Sequence, residues 1–360
     1  MFSKNIVTRG GDKFRDEFSL AFDGSDDYVE TSFVPDYIST NATTAFWVKM
    51  NDFSSDQLTG IMHEKRWYHG FSSSNLFIGV ANTHNGSSLI TPSPALVVGQ
   101  WIHYCVTAIG GTATVYINGV AQGTMSYTQS SGTDPNTGYM IGARDDSSGA
   151  SQYMNGNISE VVHYNVGLTA NQVKTIYNGR EPYNHKEGVA SGNLQAWYRM
   201  GDGSLDDFNL INDETNTTLG NTMITGDFDT QFTEHNTDSN NTVTYPTTTS
   251  VTIVSDGSQA VGIQDANLLT SGKAYKCIID VTINSGSGIR MQDSSTVFQT
   301  MTSTGVYTFY FIPSSTQFYI YRRTASASNT TINSMVLQEF GGKAGTMINM
   351  SADDIEGDTP

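Results

Sequence analysis

Cysteine and basic residues are scarce in this chain of 360 residues. Cys105 and Cys277 are the only cysteines and lie far apart, which excludes a disulfide framework and is typical of synthesis in a reducing compartment. Lys and Arg total 18 against 35 Asp and Glu, so the net charge is −17. Nucleic acids and anionic membranes bind to clustered basic residues. The sequence therefore predicts neither as a partner.

Long hydrophobic runs are also missing. No segment approaches the roughly 20 apolar residues of a membrane-spanning helix. Residues 1–18 lack the apolar stretch of a secretory signal peptide. We therefore expect that the protein does not insert into a membrane. We also expect that it assembles in a cytoplasm.

The chain is instead rich in turn-forming and aromatic residues. It has 35 glycines, and aromatic residues make up 11% of it. Short segments of strand character recur every 10–15 residues or so between Gly or Asn turns, which is typical of a β-sandwich. In the first half these segments are 18–34, 43–50, 75–81, 99–108, 111–124, 138–143, 153–167 and 194–203.

One short segment, GLTANQVKTIYNG at 167–179, has the pattern of a helix. Thr169 and Gln172 make a capping box, and Leu168 with Val173 makes a hydrophobic staple. Gly179 is a suitable end, because glycine tolerates the left-handed conformation. The pattern predicts one helix near 169–178 that is too short to be stable unless it packs on a larger body.

The second half has its own set of strands after a polar stretch that begins at residue 212. They are predicted at 250–256, 273–283, 288–293, 305–313, 317–324 and 331–340. The length of the chain also favours two domains. The fold class that follows is all-β, with two β-sandwich (jelly-roll) domains and one short helix.

The order of several motifs in the first half is informative. Taken together over about residues 14–212, they resemble the concanavalin A-like (laminin-G-like) jelly roll of the lectin/glucanase superfamily. The resemblance implies a structural role for the short helix at the edge of the sandwich. The motifs are Trp101 and the hairpin at 115–120, then Asn155-Gly156, Ile158, Glu160 and Val161, then Tyr164-Asn165 and Leu168, and last Trp197-Tyr198 before Gly201-Asp202-Gly203.

The second half resembles a different jelly roll. The segments LLTSGKAYKCIIDV and TSTGVYTFYFI, with a closing strand at 331–338, look like a carbohydrate-binding module. The last twenty residues resemble a tail that follows the W-x-x-GDG motif in jelly-roll proteins of marine phages. We therefore predict one domain from 1–212 plus 341–360, a linker at 213–222, and an inserted β-sandwich at 223–340.

Catalytic patterns are missing. Glucanases on this jelly roll carry a Glu-x-Asp-x-x-Glu strand, because two carboxylates must face one cleft. Glu160 has only the apolar Ile158 and Val162 two residues away, and the acidic stretch 353–358 is interpreted as a solvated tail. No nucleophile elbow and no His/Cys metal spacing occurs. The sequence predicts no enzyme.

Calcium is the one ion for which candidate ligands exist, since Ca²⁺ prefers oxygen ligands on loops. Turn formation alone also explains acidic residues at such positions. No other cofactor is predicted. The candidate ligands form three groups: Asp23, Asp26 and Asp27; Asp145 and Asp146; and Asp227, Asp229 and Asn333.

Two aromatic pairs are candidates for sugar binding. Trp67 and Tyr68 are predicted in a loop, where their rings could stack on a sugar. Tyr319 and Tyr321 are two residues apart on a strand and so share one face. Ordinary packing of the sheet is the alternative explanation for both pairs.

The combination of two such sandwiches and this tail resembles virion structural proteins of marine bacteriophages. The resemblance implies a non-enzymatic protein on the virion surface, either a capsid decoration protein or a tail- or fibre-associated one. Its partners would be the major capsid protein or copies of itself as a homo-oligomer, and host glycans are a further option. The alternative is an adhesin that recognises host polysaccharide, and the third hypothesis is a polysaccharide hydrolase or lyase.

Overall fold

The structure is a computed structural model that describes residues 14–35, 41–61, 66–81, 83–86, 88–128, 138–146, 149–203, 206, 210–224 and 227–360. The chain divides into two compact units. The first comprises Met1–Asp206, Asp213–Thr215 and Met347–Pro360, and the second comprises Asp207–Asn212 and Asn216–Thr346. The domain boundaries expected from the sequence stay a prediction. No helix in the described part of the chain is long and apolar enough to span a membrane.

The strands of the first half of the chain are short. They are β1 (Ser19–Asp23), β2 (Tyr28–Thr31), β3 (Asn41–Met50), β4 (Asp56–Ile61), β5 (Arg66–Ser72), β6 (Asn75–Ala81), β7 (Thr83–His84), β8 (Trp101–Ile109), β9 (Thr112–Ile117), β10 (Val120–Ser126), β11 (Met140–Ile141), β12 (Arg144–Asp146), β13 (Gly149–Ser151), β14 (Asn155–Tyr164) and β15 (Leu194–Tyr198). Helix α1 (Ala170–Tyr177) and two 3₁₀ turns at Asn178–Arg180 and Ser191–Asn193 lie between β14 and β15.

The second half continues with β16 (Leu210–Ile211), helix α2 (Phe228–Gln231), β17 (Thr233–His235), β18 (Thr242–Thr247), β19 (Ser250–Ser255), β20 (Gly262–Asp265), β21 (Tyr275–Ser285), β22 (Ile289–Gln292), β23 (Val297–Met301), β24 (Gly305–Phe311), β25 (Phe318–Arg322) and β26 (Ser328–Glu339). The chain then forms β27 (Gly345–Ile348), a 3₁₀ turn (Ala352–Asp354) and β28 (Ile355–Glu356).

The first unit is a sandwich of two main sheets. One has the order β10-β9-β8-β3-β14-β1-β28, with β15 also paired to β14, and the other has the order β13-β12-β4-β5-β6-β7. Aromatic rings join the two layers: Tyr104 of β8 stacks on Phe46 with centroids 5.0 Å apart, and meets Phe71 of the other sheet edge-on at 5.6 Å. The Tyr104 hydroxyl donates to the Phe77 carbonyl oxygen at 2.8 Å, so its buried polar group has a partner.

Helix α1 forms as its sequence predicts. Thr169 is the N-cap, and its reciprocal hydrogen bonds with Gln172 complete the capping box. Val173 and Ile176 are buried, which docks the helix on the sandwich. The helix ends at Tyr177, and both Asn178 (φ 51°) and the predicted Gly179 (φ 66°) adopt the left-handed conformation.

Three histidines of the first unit are buried without an acidic partner. Burial lowers the pKa of His69, His103 and His185 to about 3 in each case. Among the described residues, neither ring nitrogen of His69 has a hydrogen-bond partner. These imidazoles are therefore neutral at physiological pH.

The second unit is a sandwich of two five-stranded sheets. Their orders are β17-β20-β25-β22-β23 and β18-β19-β26-β21-β24. Side chains that alternate along the strands, such as Ile253, Ile279 and Ile320, fill the space between the sheets. The prediction of an all-β fold built from sandwiches is confirmed, whereas the four-residue helix α2 was not predicted.

Candidate functional site

The first predicted sugar-binding pair, Trp67 and Tyr68, is not in a loop. Both residues lie on β5, between β4 and β6, and both faces of this strand are covered. Trp67 is 3% exposed and Tyr68 1% exposed. The Trp67 indole donates to the Thr44 hydroxyl at 2.7 Å. The expectation of exposed rings in a loop is wrong: Trp67 points to the other sheet of the sandwich, and Tyr68, on the opposite face of β5, packs against Leu58 and Phe77.

The second pair, Tyr319 and Tyr321, lies on the outer face of a sheet in the second unit. Both belong to β25, where the alternate residues Phe318 and Ile320 point into the core. The tyrosines therefore point away from the core, as their spacing predicts. We call this surface the tyrosine face and define it by His235, Gln264, Arg290, Gln292, Tyr319 and Tyr321.

Three aromatic rings of the tyrosine face are in contact. The centroids of Tyr319 and Tyr321 are 4.9 Å apart, and His235 of β17 stacks on Tyr321 at 4.8 Å with an interplanar angle of 28°. Tyr321 is only 7% exposed, whereas Tyr319 and His235 are partly exposed. Tyr319 and His235 thus offer accessible rings above a covered one.

Polar side chains from the neighbouring strands flank these rings. Gln264 of β20 and Gln292 of β22 lie opposite Tyr319, and Arg290 of β22 lies opposite Tyr321. Nε of Arg290 and Oε1 of Gln292 are buried atoms that have no hydrogen-bond partner among the described residues. Unpaired buried polar atoms are rare in folded proteins and call for an explanation.

The hydroxyl groups of the two tyrosines are linked. Burial raises the pKa of Tyr321, and the adjacent Tyr319 raises it further through its charge and a hydrogen bond. Tyr319 in turn donates to Oε1 of Gln317 at 2.9 Å. Both groups stay oriented by these bonds, which fixes the rings in place.

Asp293 anchors the loop beside the tyrosine face, and the sequence analysis missed it. Its fully buried carboxylate accepts hydrogen bonds from the backbone of Ser295 at 2.8 Å, Thr296 at 2.6 Å and Ser314 at 2.7 Å. Burial opposes ionisation, but these hydrogen bonds outweigh it and lower the pKa of Asp293. The Asp-Ser-Ser-Thr sequence, typical of an Asx turn, was the available signal.

The first calcium group is brought together in the first unit. Carboxylate oxygens of Asp23, Asp26 and Asp27 lie within 4.8 Å of one another. Burial raises the pKa of Asp27 to about 6, with smaller contributions from Asp23 and from Asp354 of the C-terminal segment. The donor set, all carboxylate, suits a hard cation such as Ca²⁺. These three residues are the ones that would hold it.

Asp145 and Asp146 are placed differently from the prediction. They lie on β12 rather than in a turn, where successive side chains point to opposite sides of the sheet. Asp146 accepts a hydrogen bond from the Ser151 hydroxyl at 2.9 Å and faces Arg144 at 3.6 Å. The two carboxylates therefore do not converge on one ion.

The third calcium group is spread over two elements. Asp227 is the exposed N-cap residue of α2, and Asp229 lies within that helix. Asn333 lies on β26, and its amide donates to the Thr282 hydroxyl at 3.0 Å. Calcium binding at this group stays a prediction.

Glu160 has acidic neighbours that its own strand does not reveal. Its carboxylate accepts hydrogen bonds from the Trp197 indole at 2.5 Å and from Nε of Arg199 at 3.0 Å. Asp16 and Asp202, from distant segments, lie near it and are hydrogen-bonded to each other. Burial raises the pKa of both Asp16 and Glu160, and their mutual repulsion adds to the shift of Asp16.

The acidic C-terminal segment is not a solvated tail, contrary to the sequence-based interpretation. Glu356 accepts a hydrogen bond from the Asn157 amide at 2.8 Å. Asp358 accepts one from the Trp101 indole at 2.9 Å and forms an ion pair with Lys49. Strand β28 pairs with β1. These acidic residues therefore belong to the folded first unit.

Comparison with known proteins finds similarity over part of the chain. No curated protein sequence matches it significantly. One solved structure with a similar fold is a protein of Bacteroides ovatus with a provisional carbohydrate-binding assignment, at 20% identity and a TM-score of 0.44 over 56% of each chain. The chain thus spans little more than half of that protein.

Two further structures are similar at lower scores. A heptameric pentraxin of Limulus polyphemus is 20% identical, with a TM-score of 0.37 over 45% of this chain and 82% of its own. Domain 4 of an extracellular arabinanase of Geobacillus stearothermophilus, solved with arabinotriose, is 19% identical, with a TM-score of 0.33 over 44% of this chain and 76% of its own.

The match to a protein family is more specific, although it covers less than half of the chain. The family described as the concanavalin A-like lectin/glucanases superfamily matches residues 23–174. This segment runs from the last residue of β1 to the middle of α1, so the match lies within the first unit. Residues 23–174 are therefore similar to the concanavalin A-like lectin/glucanases superfamily.

Proposed function

We propose that the chain is a non-enzymatic glycan-binding protein and that the tyrosine face is its binding surface. The observation that carries the proposal is the combination of accessible rings with unpaired polar atoms. Tyr319 and His235 offer ring faces, while Arg290 and Gln292 contribute atoms that lack partners in the described structure. Ligand sites typically pair aromatic surface with a few placed polar groups in this way.

The energetics support a ligand at this face. A buried polar atom without a hydrogen bond costs about 1–3 kcal/mol. Sugar hydroxyl groups both donate and accept, so one glycan can bond to the Arg290 guanidinium and the Gln292 amide together once these side chains turn outward, because their unpaired atoms are buried in the free protein. The aromatic rings add stacking and hydrophobic contact with the apolar side of the sugar ring. Binding would thus recover a cost that the free protein carries.

Binding without turnover agrees with the state of the acidic residues. Hydrolysis needs two carboxylates that reach one bond from opposite sides. The acidic cluster of the first unit is held instead by its own neighbours: Glu160 by Trp197 and Arg199, and Asp202 by the backbone of Phe18 at 2.7 Å. The lectin-like fold of residues 23–174 is compatible with a binding role.

The location that the sequence predicts, the surface of a phage virion, is part of this proposal. A net charge of −17 favours the outside of a particle over contact with packaged DNA. The glycan would then belong to the host surface, and the partners would be a capsid protein or further copies of the chain. Mass spectrometry of purified particles tests this location directly, and absence of the chain from them would contradict it.

The experiment for the glycan site compares two tyrosines on the outer faces of the two sheets. Tyr319→Ala removes an accessible ring from the tyrosine face, and Tyr310→Ala on β24 is the matched control. We expect Tyr319→Ala to weaken binding to a retained polysaccharide about tenfold, which is the loss of ~1.4 kcal/mol. Binding is measured by affinity electrophoresis over a panel of polysaccharides.

Two results would contradict the proposal. The first is binding that depends on Tyr310 and is indifferent to Tyr319. The second is release of reducing ends from the bound polysaccharide, which would show turnover. Circular dichroism of both variants confirms that the second unit is folded.

A further inference from the structure

We infer that the glycan bound at the tyrosine face is anionic and that Arg290 binds its carboxylate or sulfate group. This inference rests on the proposed function and specifies the class of ligand. It starts from the charge of Arg290. Among the described residues, the Arg290 guanidinium makes no hydrogen bond and no ion pair, and its Nε is buried.

An unpaired arginine is unexpected in this chain, which has 35 acidic residues for 18 basic ones. Other covered arginines have partners. Arg199 binds Glu160, Arg144 faces Asp146, and Arg322 donates to backbone carbonyl oxygens. With acidic side chains in such excess, an arginine that has none of them nearby is consistent with a negative charge supplied by a ligand.

The strand pattern keeps carboxylates off the tyrosine face. Glu234 follows Thr233 on β17 but pairs with the inward-pointing Ile263, so it lies on the other side of the sheet. Asp265 pairs with the inward-pointing Phe318, and its carboxylate binds the Gln231 amide at 3.0 Å. Asp293, next to Gln292, is buried in its own loop. The cation is therefore not neutralised by the residues adjacent to it.

The surroundings of Arg290 favour recognition of an anion. Arg290 lies opposite Tyr321 on the next strand, and the Arg290 charge lowers the pKa that burial has raised at Tyr321. The rings of Tyr319, Tyr321 and His235 pack against one another on the same face of the sheet as Arg290. Guanidinium groups bind carboxylate and sulfate oxygens with two parallel hydrogen bonds, and partial desolvation strengthens them.

The test compares charged and neutral forms of the same polymers. The ligands are polygalacturonate with its carboxyl-reduced form, and dextran sulfate with dextran. The proteins compared are the unmodified chain and its variants Arg290→Gln and Lys276→Gln. On the other sheet, Nζ of Lys276 lies 5.8 Å from the centroid of the Tyr310 ring, so its variant removes one positive charge beside a tyrosine that is not part of the tyrosine face.

We expect the unmodified chain to prefer a charged polymer over its neutral form at least tenfold. Arg290→Gln should abolish that preference, Lys276→Gln should keep it, and added NaCl should weaken only binding to the charged form. Retention of polygalacturonate would indicate that the ligand carries a carboxylate, and retention of dextran sulfate would indicate a sulfate.

Three results would overturn the inference. If neutral polymers bind equally well and binding still depends on Tyr319, the glycan-binding function stands and the anionic ligand is refuted. If Arg290→Gln keeps the preference, or Lys276→Gln loses it, the charge is recognised elsewhere. If no polymer binds, the proposed function fails together with the inference.

Discussion

The indole of Trp101 donates a hydrogen bond to the Asp358 carboxylate at 2.9 Å, which joins residues 257 positions apart in the chain. Lys49 forms an ion pair with the same carboxylate. Strand β28, just before Asp358, pairs with β1. These contacts make the C-terminal segment an edge of the main sheet of the first unit.

We therefore predict that deletion of residues 355–360 destabilises the first unit. Loss of β28 exposes β1 and leaves the Trp101 indole without its acceptor. In a unit of this size, each kcal/mol lost from the free energy of unfolding lowers the Tm by roughly 2–4 °C. Differential scanning calorimetry measures the change, and hydrogen exchange should show faster exchange in β1. Asp358→Asn, which keeps an acceptor but removes the ion pair, should have the smaller effect; equal effects would contradict this assignment.

The acidic cluster around Glu160 predicts an unusual pH dependence. The folded-state pKa of Asp16 is raised by burial and by Glu160, so the folded protein binds a proton that the unfolded chain releases above pH ~3.9. Stability from this group is fully present below that pH and is lost as the pH rises. We expect Asp16→Asn to reduce the loss of stability between pH 5 and pH 9. Urea unfolding at several pH values measures it, and an unchanged pH profile would contradict the prediction.

The group Asp23, Asp26 and Asp27 predicts weak binding of calcium. Three carboxylates within 4.8 Å repel one another until a cation neutralises them. We expect CaCl₂ to raise the Tm with an apparent Kd of about 0.1–1 mM, and MgCl₂ to have less effect. Binding should weaken below pH 6, because the pKa of Asp27 is about 6 and the ion requires the ionised form.

Two variants decide where that calcium binds. Asp27→Asn should remove the effect of CaCl₂, whereas Asp146→Asn on β12 should leave it unchanged. Isothermal titration calorimetry measures both. If only Asp146→Asn abolishes calcium binding, the site lies on β12. If the unmodified chain gives no heat of binding at CaCl₂ concentrations up to about 10-fold above the expected Kd, a calcium site is excluded.

Asp293 predicts a second, opposite pH dependence in the second unit. Its pKa is lowered, because the hydrogen bonds from Ser295, Thr296 and Ser314 outweigh its burial. Stability from this carboxylate is present above the unfolded pKa and is lost as the pH falls through the lower folded value. We expect Asp293→Ala to destabilise the second unit by roughly 3 kcal/mol, since several buried donors lose their acceptor. Urea unfolding measures it; a change below about 0.5 kcal/mol would show that the loop holds without the carboxylate.

The sequence predicted those features that depend on local spacing. The capping box at Thr169 and Gln172 and the strand period at Tyr319 and Tyr321 specify a helix end and a shared face without reference to the rest of the fold. Trp67 was misplaced because its burial comes from pairing of β5 with β4 and β6, which no local pattern reveals.

The composition of each site depends on strand order, which alternation within one strand does not specify. Arg290 reaches Tyr321 only because β22 lies beside β25, although β23 and β24 separate them in the chain. Glu160 acquires Asp16 and Asp202 as neighbours in the same way, from segments far away in sequence. The alternation of side chains along one strand therefore predicts neither association.

The buried histidines have a consequence for behaviour in mild acid. Because the pKa of His69, His103 and His185 is about 3, these rings take up no proton between pH 7 and pH 5. The buried groups that gain protons in mild acid are carboxylates such as Glu160, whose pKa is raised. Acidification from pH 7 to pH 5 therefore neutralises buried carboxylate without charging these three imidazoles. Protonation of Glu160 ends the burial of its charge at the expense of its ion pair with Arg199, whereas protonation of a buried imidazole would place a new charge in the core.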